Sequence, residues 1–224
     1  MRTAMKSLAG LCWVMAAAAT ALAAGCSEGS EGGTGGPAEC SDYDNEAATE
    51  VTVRFTNGSD EVIYLGSERG CGWLDAFELR DEAGAVVPWY VGPCAQTCAT
   101  VGLDCAADCA LPPLVQIAPG GHYDMTWTGL VLAERSDACD DSGEPLDATC
   151  QQQVLGAGPY EVTGMVYKAI DGCDPASSEG CACEPTTGEG ACLLSYPTAP
   201  AGAKSPTQAA AYQQGNAAVE LVFQ

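Results

Sequence analysis

The clearest pattern in the chain is an alternation of apolar and polar residues that starts at residue 50. Val51, Val53 and Phe55 are separated by polar residues, which is the two-residue period of a half-buried strand. Asn57-Gly58 then supplies a pair of residues that tolerates positive φ, and residues 61–65 are again rich in strand-forming residues. The pattern predicts a β-hairpin at the start of a folded domain.

Further segments with strand-like patterns are separated by turn residues and occupy positions 76–81, 85–90, 114–117, 122–127, 160–167 and 218–223. The first two flank a turn and predict a second hairpin, in which Pro88 limits the last strand to an edge or an end. Seven to eight short strands without a long amphipathic helix predict an all-β fold. The expected architecture is an immunoglobulin-like β-sandwich with disulfide-rich loop insertions.

A different pattern occupies the N-terminus, where Arg2 and Lys6 precede a largely apolar run over residues 8–24. This arrangement is typical of a secretory signal. The pair Gly25-Cys26 that follows resembles the lipobox of bacterial lipoproteins. The resemblance implies cleavage before Cys26 and acylation of its thiol and of its new amino group.

Two other interpretations of the N-terminus stay open. The apolar run could be a retained membrane-spanning helix, although it is short for one and mostly alanine. An ordinary signal peptidase could instead cut after Ala23 or Ala24 and leave Cys26 as a free thiol. The lipobox match itself has one departure, because Ala23 stands where leucine is commonest. Under the lipoprotein interpretation, Ser27 replaces the aspartate that retains some lipoproteins in the inner membrane, which favours the outer membrane.

The lipoprotein interpretation divides the chain into three parts: a signal peptide (residues 1–25), a lipidated cysteine with a flexible acidic tether (26–49) and the sandwich domain (50–224). Removal of the signal takes away two of the eight basic residues and none of the thirty acidic ones, so the net charge changes from −22 to −24. A surface of this charge repels phosphate groups. The sequence therefore predicts no nucleic-acid partner.

Four short segments, in their order along residues 50–167, resemble the BsuPI-like intracellular proteinase inhibitor family. They are Val-x-Phe-Thr-Asn-x-Ser with Ile63-Tyr64-Leu65, Leu79-Arg80-Asp81-x-x-Gly84, Pro119-Gly120 before a strand that ends in Trp127, and Gly158-Pro159-Tyr160-x-Val162-x-Gly164. The resemblance implies a small immunoglobulin-like sandwich. It also implies proteinase inhibition as an alternative function.

Fourteen cysteines are present, and setting aside Cys12 in the signal and the lipidated Cys26 leaves an even number for the exported domain. Dense cysteines in an oxidising compartment predict disulfides. The candidates are Cys40, Cys71, Cys94, Cys98, Cys105, Cys109, Cys139, Cys150, Cys173, Cys181, Cys183 and Cys192. Connectivity does not follow from sequence alone, but local spacing suggests several pairs.

Three cysteine-bearing insertions are predicted, at about residues 92–111, 129–153 and 171–198. The spacing Cys94-x3-Cys98-x6-Cys105-x3-Cys109 suggests two short helical turns with nested bridges 94–109 and 98–105. A metal site is the alternative there, although zinc and iron–sulfur sites usually carry Cys-x2-Cys. Cys139 and Cys150 would close the second insertion, two bridges would fix the third, and Cys40 would pair with Cys71.

The second insertion also carries carboxylates that are candidate calcium ligands: Asp137, Asp140, Asp141 and Glu144. Their order does not match the EF-hand loop, and a solvated acidic loop is the competing interpretation. The sequence predicts no metal site beyond these candidates and no other cofactor.

Catalytic patterns are absent from the sequence. His122 is the only histidine, and the chain has no His-Glu-x-x-His or P-loop motif. Its one Gly-x-Ser-x-Gly match, residues 25–29, lies at the lipobox and outside the predicted sandwich domain. The sequence therefore predicts a non-enzymatic envelope lipoprotein that contacts the membrane through its lipid and binds another envelope or extracellular protein. The alternatives are an exported proteinase inhibitor and a calcium-stabilised adhesin.

Overall fold

The computed structural model describes residues 40–41, 46–67, 76–90, 97–99, 113–140, 143–147, 149–172, 182–194, 199–202, 205–206 and 209–224. All of them belong to one compact unit, Ala38–Gln224. Regular structure in these ranges is entirely β. No helix with the length and apolar character needed to cross a bilayer occurs in the same ranges.

The strands are β1 (Val51–Asn57), β2 (Ile63–Gly66), β3 (Phe77–Arg80), β4 (Val86–Val87), β5 (Leu114–Ile117), β6 (His122–Trp127), β7 (Leu130–Arg135), β8 (Cys150–Leu155), β9 (Tyr160–Val166), β10 (Ala169–Asp171), β11 (Cys183–Pro185), β12 (Ala191–Leu194), β13 (Ala199–Ala201), β14 (Ser205–Pro206), β15 (Ala210–Tyr212) and β16 (Ala218–Phe223). The segments predicted from alternation all contain one of these strands. The all-β prediction is therefore confirmed.

One sheet has the order β16-β1-β6, with β16 parallel and β6 antiparallel to β1. Alternate residues of β1 are fully buried, as its alternating sequence predicts. The first and last strands of the domain therefore lie side by side in this sheet.

Two further sheets have the orders β11-β12-β5-β2 and β14-β9-β3-β4, and β15 also pairs with β9. Mutual backbone hydrogen bonds between Tyr64 and Tyr167, at 2.9 and 2.8 Å, connect β2 to the end of β9. Two further pairs, β7-β8 and β10-β13, are separate.

A single large core is shared by these sheets. Phe55 of β1 lies with its ring centroid 6.4 Å from that of Phe77 in β3 and 6.3 Å from that of Phe223 in β16. Trp127 at the end of β6 is buried and its Nε1 donates to the carbonyl oxygen of Leu130 at 2.9 Å. Side chains of the β16-β1-β6 sheet therefore pack against those of the β14-β9-β3-β4 sheet, in a sandwich-like arrangement.

The predicted hairpin around Asn57-Gly58 is wrong, whereas the predicted β3–β4 hairpin is confirmed. Strand β1 pairs with β16 and β6, and β2 pairs with β5, so the chain changes sheets at Asn57. The buried Asn57 side chain explains the crossing, because its Nδ2 donates to the carbonyl oxygens of Glu61 at 2.8 Å and Ile117 at 2.9 Å. These bonds hold the chain against β5.

The boundaries of two predicted insertions are also corrected. Residues 130–135 and 150–155 form the β7-β8 pair, so these parts of the second predicted insertion are strands. Val131 is buried in the main core and Val154 packs against it, which explains why these segments are strands. In the third insertion β12 pairs with β5 and is therefore part of a main sheet.

Pro88 ends β4 after two residues, as expected.

Candidate functional site

Two disulfides lie at the end of the β7-β8 pair where Arg135 is in register with Cys150. Cys40 is bonded to Cys139, with Cα atoms 5.2 Å apart, and Cys98 is bonded to Cys150, with Cα atoms 4.8 Å apart. Cys98 and Cys150 are buried with Ala138, and Leu146 packs against them, in a small cluster separate from the main core. We call this region the clamp, because it fastens Cys40 and Ser41, which belong to the predicted tether (26–49), to the domain.

The local pairings predicted for these cysteines are wrong. Cys40 is not bonded to Cys71, Cys98 is not bonded to Cys105, and Cys139 and Cys150 do not bond each other. The bonds join residues 99 and 52 positions apart, brought together by backbone pairing that local spacing does not reveal.

Backbone contacts explain the observed partners of both bonds. Ser41 donates its N–H to the carbonyl oxygen of Asp137 at 2.7 Å and accepts from the N–H of Cys139 at 3.1 Å, which places Cys40 beside Cys139. On the other side, the N–H of Cys98 donates to the carbonyl oxygen of Gln151 at 3.0 Å, which places Cys98 beside Cys150.

The third described bond, Cys183–Cys192, spans 9 positions between β11 and β12, in the insertion where two bridges were predicted. The other predicted cysteines lie outside the described residues: Cys26, Cys71, Cys94, Cys105, Cys109, Cys173 and Cys181. The predicted helical turns and the nested bridge 94–109 fall there too. Thr97, which is described, forms a parallel bridge with Gln151.

An ion pair reinforces the clamp. Nε of Arg135 donates to Oδ1 of Asp137 at 2.8 Å, and Nη1 of Arg135 donates to Oε1 of Gln152 at 2.6 Å. Oγ of Ser41 donates to Oδ2 of Asp137 at 2.8 Å. The hydrogen bond from Arg135, followed by the one from Ser41, lowers the pKa of Asp137 from 3.8 to about 2. The carboxylate thus links Ser41 to Arg135 of the β7-β8 pair.

The candidate calcium ligands have protein partners at this end. Asp137 is held by Arg135 and Ser41, and Oδ1 of Asp140 accepts the N–H of Glu144 at 2.9 Å, which closes a turn. Asp141 lies outside the described residues. No group of three or more His, Cys, Asp or Glu side chains suited to a metal ion is found in the part of the chain that the structure describes.

The hydrogen bonds of Asp137 should make the stability of the clamp depend on pH. Because the folded-state pKa is lowered, the contact stabilises the clamp above pH 3.8, and this contribution is lost as the pH falls toward about 2. In a carboxyl titration followed by NMR, Arg135→Gln should move the pKa of Asp137 back toward its ordinary value. Glu134→Gln, an exposed neighbour on β7, should leave it unchanged. An Asp137 that titrates identically in Arg135→Gln contradicts the assignment.

A charged row crosses the solvent-facing side of the β16-β1-β6 sheet. Arg54 of β1 lies in register with Asp124 of β6 on one side and Glu220 of β16 on the other. Its Nε and Nη2 donate to the two carboxylate oxygens of Asp124, each at 2.7 Å. This bidentate bond lowers the pKa of Asp124 below its ordinary value. Oε1 of Glu220 accepts from Oγ1 of Thr56 at 2.6 Å.

Sequence reasoning did not identify this row, because the strand order that brings the three residues together was not predicted. The sequence did carry a signal for two of its members. Arg54 and Glu220 are the polar residues of alternating segments, which places them on the solvent-facing side of their strands. His122, at the start of β6, is partly buried and its backbone N–H donates to the carbonyl oxygen of Glu189 at 2.8 Å.

A shallow groove of about 490 Å³ lies over β9, between β15 and the β3–β4 turn. Ala211 of β15 lies in register with Glu161 of β9, and both line the groove. Arg80 lines the groove, and its Nη1 donates to the carbonyl oxygen of Gly84 at 2.8 Å. The lining is acidic overall, because it also contains Asp81, Glu82 and Glu161, and it includes three alanines (residues 209–211).

Comparison with protein-family models, with curated proteins and with solved structures finds no match to this chain.

Proposed function

We propose that the chain is a lipid-anchored, non-enzymatic protein of the bacterial cell envelope, with a disulfide-stabilised domain that binds other proteins. The observation that carries the proposal is the Cys40–Cys139 bond, which fastens a residue of the predicted tether (26–49) to the domain. Structural disulfides are typical of exported proteins, so this bond supports the export indicated by residues 1–26.

The position of the clamp suits an anchored domain. Fourteen peptide links separate Cys26 from Cys40, and a flexible chain of that length has a typical span of about 20 Å. Force or thermal motion transmitted along the tether reaches the domain at Cys40, where a covalent bond and the Ser41 hydrogen bonds hold the chain. The negative charge of the domain would repel it from anionic headgroups, leaving its surfaces open to partners.

The anchor is tested by substitution at Cys26. Metabolic labelling with palmitate should mark the wild-type protein and should be lost in Cys26→Ala, with the unprocessed precursor accumulating. The matched control is Cys12→Ala, which changes another cysteine in the N-terminal region and should retain full labelling. Equal labelling of Cys26→Ala and wild type would reject the lipid anchor.

A further inference from the structure

The outer edge of β16 carries backbone groups that point away from its neighbour. The N–H of Thr52 donates to the carbonyl oxygen of Ala217 at 3.0 Å, and that of Gly58 donates to Phe223 at 2.8 Å. In a parallel pair the bonded residues of one strand alternate, so residues 217, 219, 221 and 223 bond β1. The N–H and C=O groups of Ala218, Glu220 and Val222 consequently face the opposite side.

No described strand pairs with this side of β16, which is the last strand of its sheet. Ala218 and Glu220 are exposed, and their strand neighbours Val219 and Leu221 are buried in the core. The edge is six residues long, whereas β4, at the edge of another sheet, has two. An edge of this length without a partner among the described strands is a template for pairing with a further extended segment.

Charge identifies the kind of segment that fits. The row Asp124–Arg54–Glu220 alternates in sign across three adjacent strands, and Glu220 is its outermost member. Opposite charges on neighbouring strands stabilise a sheet, whereas like charges directly opposite each other destabilise it. The next position in the row therefore favours a cationic side chain.

The same charge disfavours a second copy of this chain as the occupant. Two β16 strands that pair antiparallel about Glu220 would place the two Glu220 carboxylates opposite each other. Such a contact is repulsive, and the net charge of −22 on each chain adds to the repulsion.

We propose that the outer edge of β16 binds an extended peptide segment of a partner protein, with a lysine or arginine of that segment opposite Glu220. The segment adds a fourth strand to the β16-β1-β6 sheet through the outward backbone groups of Ala218, Glu220 and Val222. This inference deepens the proposed binding function and rests on it. It is independent of the lipid anchor, because the edge belongs to the folded domain.

The charge requirement is tested with the full chain in non-ionic detergent, disulfides intact. The probe is a capped, fluorescent nonapeptide of alternating threonine and lysine, followed by anisotropy. Glu220→Lys should weaken its binding at least tenfold and should create binding of the matching threonine–glutamate peptide. Glu134→Lys makes the same charge change at the exposed position of β7 and should alter the Kd less than twofold. Equal weakening by both variants would mean attraction to overall charge and would overturn the proposal.

The backbone requirement is tested independently. Val222→Pro removes an outward N–H and leaves the bonds to β1 intact, so the fold should persist while peptide binding falls at least tenfold. A lysine peptide N-methylated at alternate amides should also lose binding. Unchanged binding in both cases, or a dimer in light scattering that the lysine peptide does not dissociate, would overturn the proposal. Palmitate labelling of Cys26 does not depend on peptide binding at β16, so the lipid anchor and the peptide-binding edge can be rejected separately.

Discussion

Replacing Phe55 with alanine should lower the free energy of unfolding by about 3–5 kcal/mol, the usual range for a fully buried phenylalanine. Phe55 is 0% exposed, and its ring contacts Phe223 of its own sheet and Phe77 of the β14-β9-β3-β4 sheet. One side chain therefore packs against both sheets. Its removal leaves a cavity that three strands would have to close together. Because the strands are paired on both sides of β1, only partial collapse is expected.

Urea denaturation of the oxidised protein measures this effect. Val86→Ala is the control, since Val86 is 54% exposed on the short strand β4, and it should change stability by no more than about 0.5 kcal/mol. A loss below about 1 kcal/mol for Phe55→Ala would mean that the core relaxes around the cavity, contrary to the packing described here.

The strands with a clear strand-like pattern were predictable because their signal is local, whereas β7, β8 and β12 fell within the predicted insertions. Val51, Val53 and Phe55 carry the two-residue period within one strand, and the structure buries all three. The same period gives no information about the partner strand. The parallel pairing of β1 with β16 therefore could not be read from the sequence, and neither could the hydrogen bonds of Asn57 that redirect the chain after β1.

The candidate sites depend on such long-range pairings. Arg54 and Glu220 are identifiable as solvent-facing residues from alternation, but only the strand order brings them into one row. The cysteines show the same limit. Spacing suggested that Cys98 pairs within its own segment, whereas the hydrogen bond from Cys98 to Gln151 carries it to Cys150. Local chemistry was therefore visible in the sequence, and its spatial arrangement was not.

The second large effect is expected from removal of the Cys98–Cys150 bond. In the chain-entropy model a bond across 52 positions contributes about 4 kcal/mol, whereas one across 9 positions contributes about 2.5 kcal/mol. The double substitution Cys98→Ala with Cys150→Ala should therefore destabilise the protein more than the equivalent pair at Cys183 and Cys192. Urea denaturation under non-reducing conditions compares the two variants directly.

Hydrogen exchange should show where that loss falls. Cys98 and Cys150 form the small cluster with Ala138, apart from the main core, so the Arg135 end of the β7-β8 pair should exchange faster in the double variant. Amides of β1 and β16 are held by the main core and should keep their relative protection. If β1 and β7 lose protection to the same extent, the clamp and the core unfold as one unit, and the bond supports the whole sandwich-like arrangement rather than only the attachment of Cys98 to β8.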